Sequence, residues 1–342
     1  MRRSLRMNLE DIAKKAGVSR STVSRVINGE AYVSDKTRQR VLEIVEAEAF
    51  TPNMAARTLV TQRTQMIGIV IPDEFKDVFS NEIPYYYSAL LQGISEAARP
   101  HDYAPLLWIG HHDDVEEGYR RLLKNRWMDG LIFVSSLKSE TMLVTSLLKN
   151  RTPFVLIGRP LKQEGQISYV SIENSTAAEQ AVRHLLGAGR TRVGAIVGNV
   201  DNADSQDRLT GYKQALKSAG IAVDRDLIVT GQFTRAWGYA AMKRLLSAHV
   251  DGVFAFSDMI ALGALDAIRE AGLRVPDDIS LVGFDDLPAA AQANPPLTTV
   301  RQPITQKGAR AAALLIERIE KGTGEPAHIL LPTQLVIRQS CP

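Results

Sequence analysis

The stretch NLEDIAKKAGVSRSTVSRVIN, residues 8–28, holds two short apolar patterns with helical spacing, one on each side of Gly17. Apolar residues recur every three or four positions within each pattern, so each predicts an amphipathic helix. Gly17 favours a turn between them, and Ser19 is typical of the N-cap of the second helix. Two helices of this size joined by a short turn predict a helix-turn-helix, whose second helix enters the major groove of DNA.

The outward face of the second helix carries hydroxyl and guanidinium groups, which can reach phosphates and base edges. Charge favours the same partner, because residues 1–64 hold 12 of the 41 Lys and Arg but 7 of the 38 Asp and Glu. A basic module on a near-neutral body is what contact with nucleic acid requires. A solvated basic tail, or a helical pair used for protein contact, is the alternative. The DNA contacts predicted here are Ser19, Arg20, Ser21, Thr22, Ser24, Arg25 and Asn28.

Two further helical segments follow the helix-turn-helix. Ser34 predicts the N-cap of a third helix. Thr51 and Pro52 predict the start of a short fourth helix, which has fewer than the roughly 12 residues that an isolated helix needs in water, so we expect it to form only when docked. The residues expected on the buried face of the third helix are Val41, Leu42, Val45 and Ala49.

The segments EDIAKKAGVSRSTVSRVING, VSDKTRQRV and FTPNMAARTLVTQRT resemble the lac repressor (LacI/GalR) family of bacterial transcription regulators. The resemblance implies that Arg20, Ser21 and Arg25 read bases and that the helix from Pro52 is a hinge helix. It also implies that Leu59 is pushed into a base step of the minor groove, where an apolar wedge kinks the duplex. An ordinary linker residue is the alternative for Leu59. The DNA contacts predicted in the hinge segment are Asn53, Ala56 and Leu59.

Beyond residue 64, continuous apolar runs alternate with amphipathic helical patterns. Such runs are typical of strands buried on both faces, and the alternation predicts two doubly wound α/β units with a cleft at the carboxyl ends of their strands. The predicted strands are 66–71, 104–110, 130–135, 153–158, 192–198, 226–231, 251–257 and 279–284. The predicted helices are 85–99, 174–188, 205–219, 234–247, 258–271 and 303–321.

Several other classes of protein are disfavoured by the sequence. It contains no dinucleotide-binding or Walker glycine motif and no recognisable catalytic triad, so we expect neither an enzyme nor a cofactor. Residues 111–114, His-His-Asp-Asp, are more typical of a polar loop than of a metal site, and we expect no metal. The single cysteine, Cys341, fits a reducing cytoplasm. No apolar stretch follows the basic start or is long enough for a bilayer, so neither secretion nor membrane insertion is expected.

The resemblance continues through SQDRLTGYKQAL, AFSDMIALGALDAIREAGLRVPDDISLVGFDD and PPLTTVRQP. It implies a body similar to periplasmic sugar-binding proteins, with three crossings between two subdomains and an effector held at strand ends. Carboxylates that accept from hydroxyls, an arginine fork and an aromatic face suit a polyol. The implied effector residues are Arg208, Phe233, Ser257, Asp258 and Asp285.

Alternatives remain for these positions. Arg208 could pair with Asp204 or Asp207, Asp258 could be a helix N-cap, and Phe233 could belong to the core. The segment after the first body strand, PDEFKDVFSNEIPYYYSALLQGI, is longer than is common in the family and places Tyr86 and Tyr87 at its aromatic positions. It either reaches over a larger ligand, such as a disaccharide or glycoside, or is surface elaboration.

One further departure concerns the charge of the effector. Many family members place Asp after the fourth strand, where this chain has Gly158 followed by Arg159. The change removes one acceptor for a sugar hydroxyl and adds a cation, so an anionic effector stays open.

These observations predict a helix-turn-helix domain at 1–50, a hinge helix and linker at 51–64, and an effector-binding and dimerisation body at 65–342. Subdomain 1 is predicted at about 65–171 and 298–327, and subdomain 2 at about 172–297 and 328–342. The function implied is a cytoplasmic, homodimeric repressor of a carbohydrate-utilisation operon, which binds palindromic double-stranded DNA and a sugar or glycoside effector. A purine or corepressor-type regulator and a solute-binding protein are the alternatives.

Overall fold

A computed structural model of the chain describes residues 7–27, 32–48, 50, 63–71, 84–109, 127–134, 141–322 and 324–342. The chain divides into two compact units, residues 1–64 and residues 65–342. The first unit contains helices α1 (Leu9–Ala16), α2 (Arg20–Ile27) and α3 (Asp35–Ala47). The predicted hinge helix from Pro52, and the polar run at 111–114, lie outside the described residues.

The ends of α1 are fixed by its flanking side chains. The Asn8 side chain accepts hydrogen bonds from the Glu10 and Asp11 amides at 2.8 and 3.1 Å, and the Asp11 carboxylate accepts from the Asn8 amide at 3.0 Å. This reciprocal capping box satisfies amides that the first turn leaves unpaired. Gly17 ends the helix with a φ of 63°, a left-handed conformation that glycine adopts without a steric penalty. The turn predicted at Gly17 is confirmed.

The three helices share one small apolar core. Val41 is fully buried in it, and Ile44 and Val45 of the same helix pack against it. The prediction for Leu42 is wrong, because this side chain is 46% exposed. Positions 41, 44 and 45 follow the spacing of one helix face, and position 42 lies about 100° away from 41. The other buried residues of this core are Ile12, Ala13, Ala16, Val23 and Val26.

The second unit alternates strands and helices as predicted. The strands are β1 (Met66–Ile71), β2 (Ala104–Ile109), β3 (Gly130–Val134), β4 (Phe154–Ile157), β5 (Tyr169–Ile172), β6 (Val193–Val197), β7 (Ile228–Thr230), β8 (Gly252–Ala255), β9 (Ser280–Asp285), β10 (Thr298–Arg301), β11 (His328–Leu331) and β12 (Gln334–Val336). The helices are α4 (Pro84–Ala98), α5 (Thr141–Lys149), α6 (Asn174–Gly187), α7 (Ala203–Ser218), α8 (Arg235–Ser247), α9 (Asp258–Glu270), α10 (Pro288–Gln292) and α11 (Ile304–Lys321).

These strands form two six-stranded sheets. The first sheet has the order β11-β5-β4-β3-β1-β2, and its neighbouring strands run parallel. The second has the order β12-β10-β9-β8-β6-β7 and is parallel except for the antiparallel pair β10 and β12. The predicted fold class, a helical N-terminal domain before a body of two parallel α/β sheets, is confirmed. We call the first sheet with α4, α5 and α11 the first lobe, and the second sheet with α6–α10 the second lobe.

The backbone passes from one lobe to the other after β5, after β10 and after β11. The predicted boundaries at 297/298 and 327/328 are therefore wrong by about one strand each. Residues 298–301 belong to the second lobe, since β10 pairs with β9, and residues 328–331 belong to the first, since β11 pairs with β5. A run of four residues carries no sign of which sheet it joins, because both sheets accept the same apolar pattern.

Helices α4 and α11 of the first lobe pack with close backbone contact. A Cβ atom added to Gly308 of α11 would lie 2.2 Å from the Leu90 carbonyl oxygen of α4. The predicted apolar face of α11 is confirmed, since Ile304, Ala311 and Leu315 are buried. Within the described part of the chain, no helix has the length and apolar character needed to cross a membrane.

Candidate functional site

Helix α2 presents a polar face opposite its core face. Val23 and Val26 are buried, whereas Arg20, Ser21 and Arg25 are exposed. Thr22 and Ser24 are half-buried at the border between the two faces. The two arginines supply forked donors of the kind that bind guanine edges or phosphates.

Ser19 fixes the start of this helix. Its hydroxyl oxygen accepts a hydrogen bond from the Thr22 amide at 3.1 Å and lies 2.7 and 2.8 Å from the hydroxyl oxygens of Ser21 and Thr22. Ser19 thus acts as the predicted N-cap and ties two other predicted DNA contacts to the helix end. The remaining predicted contacts, Asn28, Asn53, Ala56 and Leu59, lie outside the described residues.

In the second lobe, β9 ends at two consecutive aspartates with unusual backbone angles. Asp285 has a φ of 125° and Asp286 a φ of 61°, both in the left-handed region that residues with a side chain seldom adopt. Asp286 has a structural role, because its carboxylate accepts hydrogen bonds from Arg301 and Arg338 at 2.6 Å each. Asp285 stays partly exposed and accepts from the Gln302 amide nitrogen at 2.6 Å. Strain of this kind is a feature of ligand sites.

Arg208 of α7 lies beside this turn and is 4% exposed. Its Nε donates to the Asn174 side-chain oxygen at 2.8 Å, its Nη1 donates to the Phe256 carbonyl, and its guanidinium carbon lies 3.6 Å from the centroid of the Phe284 ring. Its Nη2 makes no hydrogen bond to any described residue. Among the described residues, Arg208 forms neither of the alternative pairs, since Asp204 accepts from Asn174 and Asp207 from Arg159.

Asp207 instead pairs with Arg159 across the two lobes. Arg159 follows β4 of the first lobe, and its Nε and Nη2 donate to the two carboxylate oxygens of Asp207 at 2.9 and 2.7 Å. The hydrogen bonds that Arg159 donates to Asp207 raise the pKa of its guanidinium above the ordinary value. Glu164 adds a second carboxylate at 3.7 Å. The positive charge of Arg159, which suggested that the effector could be an anion, is therefore neutralised by a carboxylate of the protein itself.

Asp258 and Ser257 take structural roles at the start of α9. The N-cap is Ser257, whose hydroxyl accepts from the Ile260 amide at 3.2 Å. Asp258 is fully buried, and its two carboxylate oxygens accept from the Thr299 hydroxyl at 2.6 Å and the Leu287 amide at 2.7 Å. The effector contact predicted for Asp258 is accordingly withdrawn, and so is the alternative that Asp258 is the N-cap.

The predicted aromatic residues occupy both lobes. The Phe233 ring is half-buried against Gly198 at the end of β6, where an added Cβ would lie 2.3 Å from the ring. Tyr86 and Tyr87 open α4 in the first lobe, with their rings edge to face at 5.3 Å. Burial, then Tyr86 and Asp285, raise the pKa of Tyr87 well above its ordinary value.

The pKa of the Asp285 carboxyl is raised above its ordinary value. Its burial raises its pKa to about 6, against the opposing effects of the Arg208 charge, the Gln302 hydrogen bond and the Lys307 charge. The Asp258 amide also donates to it. The group is thus an anionic acceptor at neutral pH and loses this character in mild acid.

Three residues of this site were missed by sequence reasoning. Asn174 orients Arg208, while Gln302 and Lys307 face Asp285 from the crossing after β10 and from α11. A signal existed for Lys307, because it interrupts the apolar face of α11 three residues after Ile304. Asn174 and Gln302 carried no such signal, since each stands at an element end where a polar residue is ordinary.

Comparisons with known proteins address the same two regions. Residues 8–53 match the family model "Bacterial regulatory proteins, lacI family", and residues 182–341 match "Periplasmic binding protein-like domain". The chain is 38% identical to the HTH-type transcriptional regulator CelR of Thermobifida fusca, over 99% of this chain and 100% of the relative.

Solved structures agree with these matches. A CelR–cellobiose complex is similar with a TM-score of 0.77 at 36% identity, over 98% of this chain and 100% of that one. The lac repressor bound to ONPG in the repressed state is similar with a TM-score of 0.81 at 25% identity, over 98% and 99% of the two chains.

Proposed function

Since the chain belongs to the lacI family of bacterial regulatory proteins, we propose that it represses a carbohydrate-utilisation operon and releases its operator when a sugar binds the body. The chain is a DNA-binding transcription regulator with a helix-turn-helix at its N-terminus. Residues 1–50 form the DNA-binding domain, residues 51–64 the hinge, and residues 65–342 the effector-binding body. In this role the body binds the effector without catalysing a reaction on it, and the protein acts in the cytoplasm, where its operator lies.

The observation that carries the effector assignment is the arrangement around Asp285. The partly exposed carboxylate of Asp285 ends β9, and the buried guanidinium of Arg208, with an unused Nη2, lies over the Phe284 ring of the same strand. The half-buried ring of Phe233 lies against Gly198, after another strand of the second lobe. Carboxylates accept from two sugar hydroxyls, arginine donates to one or two oxygens, and aromatic rings pack on sugar C–H groups. This combination supports a sugar as the effector.

An uncharged disaccharide of the cellobiose type fits this site best. Asp207 neutralises Arg159, so the predicted cation at that position is not offered to a phosphate or carboxylate. Tyr86 supplies a partly exposed aromatic ring on the first-lobe side, whereas Tyr87, whose ring is edge to face with it, is buried. The relative CelR has cellobiose in its solved complex, which supports the same class of ligand here.

Regulation follows from coupling between the two ligands. We expect a homodimer whose two-fold symmetry matches a palindromic operator. A coupling free energy of about 1–3 kcal/mol between effector and operator would change operator affinity roughly 5- to 150-fold. The short hinge segment is a suitable place for that coupling, because an undocked helix of its length is marginal in water.

The test uses the full chain and a palindromic duplex selected with it from a randomised pool. Fluorescence anisotropy should show tight operator binding that cellobiose weakens at least fivefold. Asp285→Asn should bind the operator like the wild type and lose the response, whereas Asp226→Asn, at an exposed position, should keep it.

Other outcomes would change the proposal. Tighter operator binding with cellobiose would show a corepressor polarity. A response to purines and not to sugars would reject the sugar class. No sequence-specific duplex from the selection would reject the operator-binding role.

A further inference from the structure

Lys307 is a buried lysine in the first turn of α11. Its side chain is 1% exposed, its amino group donates to the Gln302 side-chain oxygen at 3.1 Å, and it lies 5.6 Å from the centroid of the Tyr86 ring. No carboxylate of the described residues lies within ion-pair distance of it. A buried ammonium group is unfavourable unless other groups compensate its charge, so a lysine at this position requires an explanation.

Gln302 connects this cation to Asp285. Its oxygen accepts from Lys307, and its nitrogen donates to the Asp285 Oδ1 at 2.6 Å. An amide has one acceptor end and one donor end, so the cation and the carboxylate together fix which way the group is turned. Hydrogen bonds to charged groups are stronger than neutral ones and polarise their neighbours. The Lys307 charge thereby polarises the Gln302 amide and strengthens the hydrogen bond that this amide donates to the Asp285 carboxylate.

The three residues also stand on three different parts of the body. Asp285 ends β9 of the second lobe, Gln302 lies in the crossing after β10, and Lys307 belongs to α11 of the first lobe. Helix α11 is held against α4 by the close contact of Gly308 with Leu90. The ammonium group is therefore supplied by a rigid pair of helices in the opposite lobe.

We propose that Lys307 is a positioning residue of the effector site, which acts through Gln302 to keep Asp285 ionised and aimed for effector hydroxyls. The proposal rests on the effector site described above. It gives the buried lysine a use that neither the fold nor the helix packing requires, since an apolar residue would continue the buried face of α11.

The other charged and titratable groups around Asp285 come from other elements of the body. The Arg208 charge, from α7, stabilises the Asp285 carboxylate most, and Lys307 adds to it from the opposite lobe. Negative charge on Asp285 opposes ionisation of Tyr87 in α4 and of Asp258, and Asp286 is paired with Arg301 and Arg338. Burial first, and then Asp285, raise the pKa of Asp258. Two neighbouring carboxyls ionise together with difficulty, so the cations on the side of Asp285 favour ionisation of Asp285 over that of Asp258.

The test replaces Lys307 with methionine, which has similar length and no charge. Carboxyl carbon NMR of the full chain labelled at aspartate, with the Asp285 signal assigned by its loss in Asp285→Asn, follows the titration directly. The expected result is an upward shift of the Asp285 midpoint by roughly one pH unit or more, because an opposite charge nearby has been removed. Lys213→Met, at an exposed position, should leave the midpoint unchanged.

Binding of cellobiose supplies the second measurement. Lys307→Met should bind like the wild type at pH 9 and lose affinity at a higher pH than the wild type does. Gln302→Met keeps the lysine and breaks the connection, so it should shift the midpoint in the same direction. It also provides the test if Lys307→Met does not fold.

Contrary results are distinct from failure of the proposed function. An unshifted Asp285 titration in both variants, or an affinity lowered by one factor at every pH, would overturn the role of Lys307. A wild type that binds no cellobiose at any pH would contradict the proposed effector, and the NMR titration would still decide the inference.

Discussion

Arg159 and Asp207 join the two lobes by a bidentate ion pair, with both guanidinium–carboxylate distances under 3 Å. The two residues are 48 positions apart and belong to different lobes of the body. Both side chains are about a quarter exposed, so water and salt reach the pair. The ion pair accordingly stabilises the contact between the lobes, and a higher ionic strength should weaken it.

A double-mutant cycle measures the coupling free energy between Arg159 and Asp207. Arg159→Met and Asp207→Asn should each lower the free energy of unfolding, and the coupling between them should be about 1 kcal/mol, the upper range for a partly exposed pair. Urea denaturation of the single and double variants gives the coupling, which should shrink in 1 M NaCl. Arg183→Met, which removes an exposed i,i+4 pair, is a control with a smaller expected effect. Additive effects at low salt would deny the interlobe pair any energetic role.

Asp258 should matter for the stability of the second lobe, because its buried carboxylate accepts hydrogen bonds from two protein donors. Asp258→Ala leaves the Thr299 hydroxyl and the Leu287 amide without their buried partner, which costs about 1–3 kcal/mol for each group. We expect a fall of at least 2 kcal/mol in the free energy of unfolding, measured in urea. Asp266→Ala, which loses an exposed pair with Arg235, should cost much less. A stable Asp258→Ala protein that has lost effector binding would restore Asp258 to the site.

Effector affinity should depend on pH through Asp285. The carboxylate is the acceptor, and burial raises its pKa to about 6, so the binding form is complete above pH 7 and is lost as pH falls through 6. Calorimetry with cellobiose should show a nearly constant Kd from pH 7 to 8.5 and about a tenfold weakening per unit below 5.5. A constant Kd down to pH 5 would mean that the bound effector needs no charge on Asp285.

Arg25 is one of two exposed arginines of α2, with Arg20, that are expected to read bases. Arg25→Ala should weaken operator binding by about 1–3 kcal/mol and relax the preference at one base pair of each half-site. Selection of preferred duplexes with the variant measures both effects. Arg244→Ala, on the body, should leave the operator affinity unchanged. Uniform weakening on every duplex, with a reduced salt dependence, would instead make Arg25 a phosphate contact.

The sheets could be predicted from the sequence because buried parallel strands are continuous apolar runs. The predicted strand at 66–71 coincides with β1, and the one at 192–198 contains β6 with one residue to spare at each end. The position of Leu42 could not be settled in the same way. An apolar residue next to a buried one falls on either side of the helix border, and the packing of the other helices decides.

The division of work among the acidic residues was beyond sequence reasoning. Asp258 and Asp285 both follow apolar strands and present the same chemistry to a reader of the sequence. Their roles separate because Thr299 and the Leu287 amide reach Asp258, and Gln302 reaches Asp285. Likewise Arg159 is visible as an unusual residue, but its partner comes from another lobe. These contacts join distant parts of the chain, which local patterns do not encode.

The order of strands in the first sheet determines when this sheet can be completed during synthesis on the ribosome. Strand β5 receives its outer neighbour, β11, only after strands β6–β10 of the second lobe and α11 have been translated. Until then the nascent first lobe carries an open strand edge, which is a template for pairing with other chains. Premature termination anywhere before residue 328 thus yields a product whose first sheet has an uncapped edge, and chaperones or proteases meet it in that state.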